Sequence, residues 1–258
     1  MPILPFALWE PRFQAFCVGL PKTGTTSMAR IFKRYRAGHE TGFAETVTHV
    51  MQYREGLLAP GAFRRCILRR IRENGLEMDS ASFNHLYLDL LITEVSAARF
   101  ILTVREFEPW VNSYLHMLLM WRQRFASRSL IPQWQINYGR FQFGAFDPDD
   151  FISLEVLKRR LSVIVDRFFV YWTKTHRQVL DIMDPSRTLI LKTDRISESI
   201  DVIACFLNIP AASLAQVESH ANRRWTPLTF TEFLEPVQLA RYRDQIQVGA
   251  LSKWFPED

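Results

Sequence analysis

The sequence predicts an α/β fold in which a central, mainly parallel sheet is flanked by helices. Three observations point there. Apolar, β-branched runs alternate with amphipathic stretches of helical period, which is the pattern of β-α-β units. The runs Arg99-Phe-Ile-Leu-Thr-Val104 and Thr188-Leu-Ile-Leu-Lys192 are apolar without alternation, as strands buried on both faces are. Polar residues gather directly after the runs: Lys22, Asp79 with Ser80, Arg105, and Lys192 with Thr193. In open parallel sheets, ligands bind at those carboxyl ends.

Taken in order, residues 1–13 hold three prolines and large apolar groups and read as an irregular arm. A strand is expected over 14–20 (Phe16, Val18, Leu20), then a helix over 25–36 with Met28, Ile31 and Phe32 on one face. Residues 37–46, bounded by Gly38 and Gly42, read as a loop or short helical segment. Helix follows over 47–74, broken at 57–61 by a Pro-Gly pair. A short strand over 76–79 leads to a helix over 83–97, with Ser82 or Asn84 as its cap. After the strand at 99–104, Pro109 sits in the first turn of another helix.

Residues 122–150 lose periodicity and read as a long loop. Such loops inside a domain are usually functional or disordered, and Trp134, Tyr138, Phe141 and Phe143 argue against disorder. A long helix over 151–183, the strand 188–192 and a helix over 199–207 complete the pattern, and 211–258 reads as short helices and loops. The whole chain is expected to form a single domain with an acceptor-binding insert around 122–150.

Composition narrows the class. A chain of 258 residues with 48% hydrophobic content can bury a substantial core. The formal charge of +5 suits an anionic small ligand. The clusters Arg64-Arg65, Arg69-Arg70 and Lys158-Arg159-Arg160 read as solvated helix faces, not as a nucleic-acid surface. Cys17, Cys66 and Cys205 are odd in number and form no C-x-x-C pair, so neither a disulfide frame nor a zinc site is expected. Cys17 and Cys205 lie in apolar runs and read as core. No apolar run approaches the ~20 residues of a membrane span, and Glu10 and Arg12 interrupt any leader-like centre. A cytoplasmic protein is the expectation.

The chemistry centres on Phe16-Cys-Val-Gly-Leu-Pro-Lys-Thr-Gly-Thr-Thr-Ser-Met28. A strand, a Gly-containing turn and a helix start make an anion cradle, because the first N–H groups of a helix lack intrahelical partners. Gly24 allows close approach, Thr25, Thr26 and Ser27 add hydroxyl donors, and Lys22 adds a full cation. The stretch departs from the nucleoside-triphosphate loop G-x-x-x-x-G-K-[ST]. Gly19 and Gly24 have that spacing, but Thr25 stands where Lys should be. A second signal is Arg105 at a strand end with Ser113 two helical turns further on, a planar fork and a hydroxyl suited to one phosphate.

Pro21-Lys-Thr-Gly-Thr-Thr-Ser27 resembles the 5′-phosphosulfate loop of sulfotransferases that use 3′-phosphoadenosine-5′-phosphosulfate (PAPS). Val104-Arg-Glu-Phe-Glu-Pro-Trp-Val-Asn-Ser-Tyr114 resembles their 3′-phosphate motif. The resemblance covers the order of motifs from Cys17 to Leu207 and implies a P-loop-like, three-layer sulfotransferase fold. By position, Lys22 would contact the bridging oxygen and sulfonyl group. Thr23, Gly24, Thr25, Thr26 and Ser27 would hold the 5′-phosphate, and Arg105 with Ser113 the 3′-phosphate. Arg223, in Asn222-Arg-Arg224, falls where the family often has a basic loop, although its Arg-Lys-Gly pattern is absent.

The resemblance also implies PAPS as donor, no required metal and an acceptor hydroxyl. In-line sulfuryl transfer needs positioning, charge stabilisation and a base. Glu40 follows the first helix where glycan- and tyrosine-directed members carry a glutamate base. Its neighbour His39 is the next candidate, followed by His85 and Asp79 near the strand end where small-molecule members carry a His. Phe43, the helix 83–97 and the 122–150 segment are expected to bind the acceptor. The aromatics there, with Arg122, Arg124 and Arg128, point to a ring-bearing, glycosylated or partly anionic compound. The competing readings are a P-loop kinase or NTPase, and a non-catalytic nucleotide-binding protein of the same fold.

Overall fold

The computed structural model describes residues 11–216, 229–248 and 251. In chain order its strands and α-helices are β1 (Ala15–Cys17), α1 (Thr25–Ile31), β2 (Ala37–His39), α2 (Phe43–Arg54), α3 (Pro60–Asn74), β3 (Met78–Ser80), α4 (Leu88–Glu94), β4 (Arg99–Val104), α5 (Phe107–Arg122), α6 (Gln133–Phe143), α7 (Leu154–Ile182), β5 (Thr188–Lys192), α8 (Ile200–Leu207) and α9 (Pro236–Ile246). They fall into two compact units. One comprises Met1–Val104 with Met183–Asn222, the other Arg105–Ile182 with Arg223–Asp258.

The first unit holds a five-stranded, all-parallel sheet in the order β2-β3-β1-β4-β5. Side chains alternate across β1. Ala15 and Cys17 join Met28 and Ile31 of α1, Phe32 just past it, and Ile203, Ala204 and Leu207 of α8 in one buried cluster. Phe16 points the other way and stacks on Phe100, ring centroids 6.1 Å apart. From β1 the chain fills one side of the sheet with β2 and β3, then crosses to β4 and β5 on the other. The order therefore reverses between β1 and β4, the topological switch point where such sheets open a crevice.

Several elements differ from expectation. The segment 37–46 contains β2, an edge strand. The first helix stops at Ile31, where the chain turns through Phe32 and Tyr35. The helix expected over 83–97 begins as a 3-10 turn, Asn84–Tyr87, before α4. Neither Ser82 nor Asn84 caps it: the Asn84 amide instead donates to the carbonyls of Cys17 and Asp79. Cys205 is exposed rather than core, because the buried stripe of α8 runs through Ile200, Ile203, Ala204 and Leu207.

The second unit is helical, with an aromatic core. Phe107 lies 4.9 Å from Phe169 and 5.8 Å from Trp172, and Phe143 stacks on Phe168 at 4.0 Å. The expected long loop is mostly folded here: α6 occupies Gln133–Phe143, and Tyr138 and Phe143 are buried. Gly139 permits this packing, since a Cβ there would meet the Phe146 ring at 2.4 Å.

Candidate active site

The turn after β1 is built from both ends. Gly19 has no room for a side chain: a Cβ would lie 2.0 Å from the Thr103 hydroxyl and 2.7 Å from the Thr103 carbonyl of β4. Lys22 adopts a left-handed backbone (φ 70°), as does Gly24 (φ 103°). For a lysine that conformation costs about 1–2 kcal/mol, and such strain clusters at functional turns. Thr23 is fully buried, and its hydroxyl donates to the Leu20 carbonyl at 2.7 Å and lies 2.9 Å from the Thr103 hydroxyl. The Thr23 side chain is thus committed inside the loop, unlike those of Thr25 and Thr26. Thr193, just past β5, donates to the carbonyls of Thr23 and Val104, both at 2.8 Å. It ties the loop to the end of β4.

The sheet edge supplies the other half. His39 ends β2, and its Nε2 lies 3.3 Å from the Thr25 hydroxyl and 3.2 Å from that of Thr26. Burial, with the charge of Arg30, pushes the His39 imidazole below its ordinary pKa, which favours the neutral ring. Glu40 follows in a left-handed conformation (φ 55°). Its Oε1 accepts from the Ser82 N–H at 2.9 Å and sits 3.8 Å from His39 Nε2. Its Oε2 is buried with no hydrogen-bond partner. Burial pushes the Glu40 carboxyl above the usual carboxylate range, and the Ser82 N–H and hydroxyl pull it back only in part. A carboxylate with one oxygen held and the other unengaged, at raised basicity, is suited to taking a proton.

Asp79 is differently occupied. Its carboxylate is buried and receives both Arg70 nitrogens, at 2.5 and 3.1 Å. Arg70 is therefore not on a solvated helix face, as the Arg69-Arg70 pair implied, but buried beneath the Glu40 turn. His85 lies on the 3-10 turn after β3, half-buried. Ser80, fully buried, donates to the Thr25 carbonyl at 2.7 Å, and so ties α1 to β3. Phe43 stacks on Phe83, centroids 5.4 Å apart.

Arg105 opens the second unit directly after Val104. Its carbonyl accepts from the Trp172 indole N–H at 3.2 Å, which fixes the start of α5 against α7. Ser113 lies on α5, half-buried. Its neighbour Asn112 exchanges two hydrogen bonds with Thr231, each 3.1 Å. Arg223 lies outside the described residues. Of the three arginines read as contacts for an anionic acceptor, Arg122 is buried and bound to Asp149 and Arg128 pairs with Asp147. Their charges are balanced internally; Arg124 is exposed.

A family model described as "Sulfotransferase domain" matches residues 14–145, just over half of the chain, from β1 through α6. This chain belongs to the sulfotransferase-domain family. The matched span of the sulfotransferase includes the Lys22 loop, Glu40, Arg105 and Ser113. Solved structures similar to it include a sulfotransferase from Alicyclobacillus acidocaldarius, 13% identical with a TM-score of 0.49 over 97% of this chain and 98% of that one. Another is the sulfotransferase domain from the curacin biosynthetic pathway, 12% identical with a TM-score of 0.42 over 92% and 98%. Likeness at that level bears on neither donor nor acceptor. Comparison with curated proteins finds no match. Among the described residues of the sulfotransferase, no helix is long and apolar enough to cross a membrane.

The sequence placed Thr193 at the expected ligand end, Ser82 and Asn84 as cap candidates and Arg70 on a solvated face, but not the bonds these side chains and the Ser82 N–H make. None carries a motif, and each acts by bonding a backbone group or a partner distant in sequence.

Proposed function

We propose that this sulfotransferase uses PAPS as its donor and sulfates a hydroxyl of a small-molecule or glycan acceptor. The donor set suits a phosphosulfate. It comprises the Lys22 ammonium, the hydroxyls of Thr25, Thr26 and Ser27, and the N–H groups that open α1. Thr23 and Gly24 shape the loop around them. Arg105 and Ser113 take the 3′-phosphate, as the motif resemblance implies. Bound PAPS supplies a sulfuryl group whose bond to the acceptor oxygen forms as its bond to the 5′-phosphate breaks, leaving adenosine 3′,5′-bisphosphate.

The chain's own residues do three things in this reading. Lys22 neutralises charge on the 5′-phosphate oxygens. Glu40 receives the acceptor's proton on Oε2 while Ser82 holds Oε1. His39 joins the loop hydroxyls to the turn that carries Glu40. One observation carries the reading: the His39 contacts to Thr25 and Thr26 join the phosphate loop to the segment bearing the unpartnered Glu40 carboxylate oxygen.

The test is mass spectrometry of a hydroxyl-compound library incubated with PAPS. A gain of one sulfonate that disappears in Lys22→Ala supports the reading. Tight binding of ATP with Mg²⁺, no binding of adenosine 3′,5′-bisphosphate and no sulfated product would overturn it in favour of a kinase.

A further inference from the structure

Glu40 sits between β2 and α2 on a turn with two left-handed residues, Glu40 (φ 55°) and Gly42 (φ 70°). A turn of that shape does not hold itself. A glutamate has no intrinsic preference for φ > 0, and such conformations persist only where the surroundings over-determine them. The Phe43 N–H closes the turn onto the Glu40 carbonyl at 3.2 Å, and the Glu40 N–H reaches the Ser80 carbonyl at 3.3 Å. A charge-assisted contact of similar length comes from elsewhere in sequence.

Arg70 on α3 donates from Nε and Nη2 to the Thr41 carbonyl, at 3.2 and 3.0 Å. The same guanidinium grips Asp79 of β3 through Nη1 and Nη2. Its plane lies over the Phe83 ring, 5.0 Å from the centroid, and Phe83 stacks in turn on Phe43, the first residue of α2. One side chain therefore touches the residue after Glu40, the strand beside it and the aromatic pair that starts the next helix. Lysine offers a single point charge and cannot make this fork.

We propose that Arg70 is a positioning residue for Glu40, locking the Thr41 carbonyl to the Asp79 carboxylate so that the Glu40 carboxylate keeps one orientation. The role of Glu40 as base is the reading given above, and the assignment to Arg70 rests on it. The charged and titratable groups around Glu40 are His39 on β2, Asp79 on β3, Arg70 on α3, Tyr87 on the 3-10 turn and Cys17 on β1. Asp79 raises and Arg70 lowers the proton affinity of Glu40, so the pair acts on it in opposite directions.

Carbon-13 NMR of protein labelled at the glutamate carboxyl follows Glu40 directly, its resonance assigned by its loss in Glu40→Gln. Arg70→Met is expected to move the Glu40 midpoint to higher pH and Asp79→Asn to lower pH. Amide exchange at Phe43 and Ser82 should quicken about ten-fold or more in Arg70→Met, as local opening becomes easier. Arg70→Lys keeps the charge but not the fork, so its midpoint stays near that of the parent while the amides lose protection. Removing Arg70 alone strands a buried carboxylate and can unfold the protein. Arg70→Met in an Asp79→Asn background avoids this, and its midpoint should lie above that of Asp79→Asn.

Midpoints that do not move, or that move the same way in both single variants, would overturn the assignment, as would parental amide protection in Arg70→Lys. The base reading fails separately. A Glu40→Gln enzyme that transfers sulfate as fast as the parent removes Glu40 as base whatever Arg70 does. An inactive Glu40→Gln with unresponsive Arg70 and Asp79 variants removes only the inference about Arg70.

Discussion

The Thr26 hydroxyl lies 3.2 Å from Nε2 of His39, a contact between the helix that opens after β1 and the end of an edge strand. Thr25 makes a similar contact at 3.3 Å, so one imidazole serves two hydroxyls of the proposed phosphate loop. Although His39 keeps solvent access, partial desolvation and the charge of Arg30 lower its pKa and so favour the neutral ring in this contact. His39→Ala should therefore weaken donor binding, raising the KM for PAPS by roughly ten-fold for about 1.4 kcal/mol of lost hydrogen bonding. His39→Gln, which keeps a polar tip, should recover part of that loss. Steady-state kinetics with varied PAPS measures both; an unchanged donor KM in His39→Ala would show that the contact does not support the loop.

Lys22 separates function from stability. Truncation to Ala or Gly should lower kcat by about 10²–10³-fold, the effect of removing one preorganised charge-stabilising donor. The two variants should differ in folding. At φ 70° glycine is unstrained and alanine is not, so Lys22→Gly should be more stable than Lys22→Ala by about 1 kcal/mol. Urea unfolding measures the gap. Equal stabilities would mean that the left-handed backbone is relaxed in solution.

The legibility of the chain follows burial and sequence distance. The strands β4 and β5 have the bounds their unbroken apolar runs predict; β4 is buried on both faces, whereas β5, at the sheet edge, is only partly covered. The strand β2 was illegible: it is three residues long, contains a glycine, pairs on one side only and ends in an exposed His39. The helix α6 was illegible for another reason. It is apolar on more than one side, packing Tyr138 and Phe143 inward while Phe141 stays exposed, and it offers no clean 3.6-residue stripe. At the site, the turn between β1 and α1 that carries the proposed phosphate donors was readable because those residues are contiguous. Arg70 was not, since a basic residue in an arginine-rich helix reads as solvated until the partner Asp79 is brought beside it.

Thr193 illustrates the same point and yields a prediction. Its hydroxyl shares one hydrogen between the carbonyls of Thr23 and Val104, tying the proposed phosphate loop to the end of β4. Thr193→Val keeps the shape and leaves two carbonyls without that donor, which should cost about 1–3 kcal/mol. Thr193→Ser should restore most of it. Thermal unfolding reports the stability, and the KM for PAPS should rise in Val but not in Ser. A Val variant as stable as the parent, with an unchanged donor KM, would show that the loop holds itself.

Glu40 links pH to both activity and stability. Burial raises its pKa, so the proposed base becomes protonated at a higher pH than an ordinary carboxylate would. The acid limb of kcat/KM should therefore lie above the usual carboxylate range and should vanish in Glu40→Gln, together with about 10²–10⁴-fold of rate. The stability effect has the opposite sign to that of a paired carboxylate. The folded state binds this proton more tightly than the unfolded chain does, so folding takes up a proton between the ordinary pKa and the raised one. This group's contribution is most favourable below the ordinary glutamate pKa, declines as pH rises through that window, and stays lower above it. Glu40→Gln should remove that decline. Urea unfolding of parent and variant across the acid range gives the difference directly. A parent whose stability relative to the variant rises with pH in that window would mean that Glu40 is held as a stabilised carboxylate, and it would no longer be suited to act as a base.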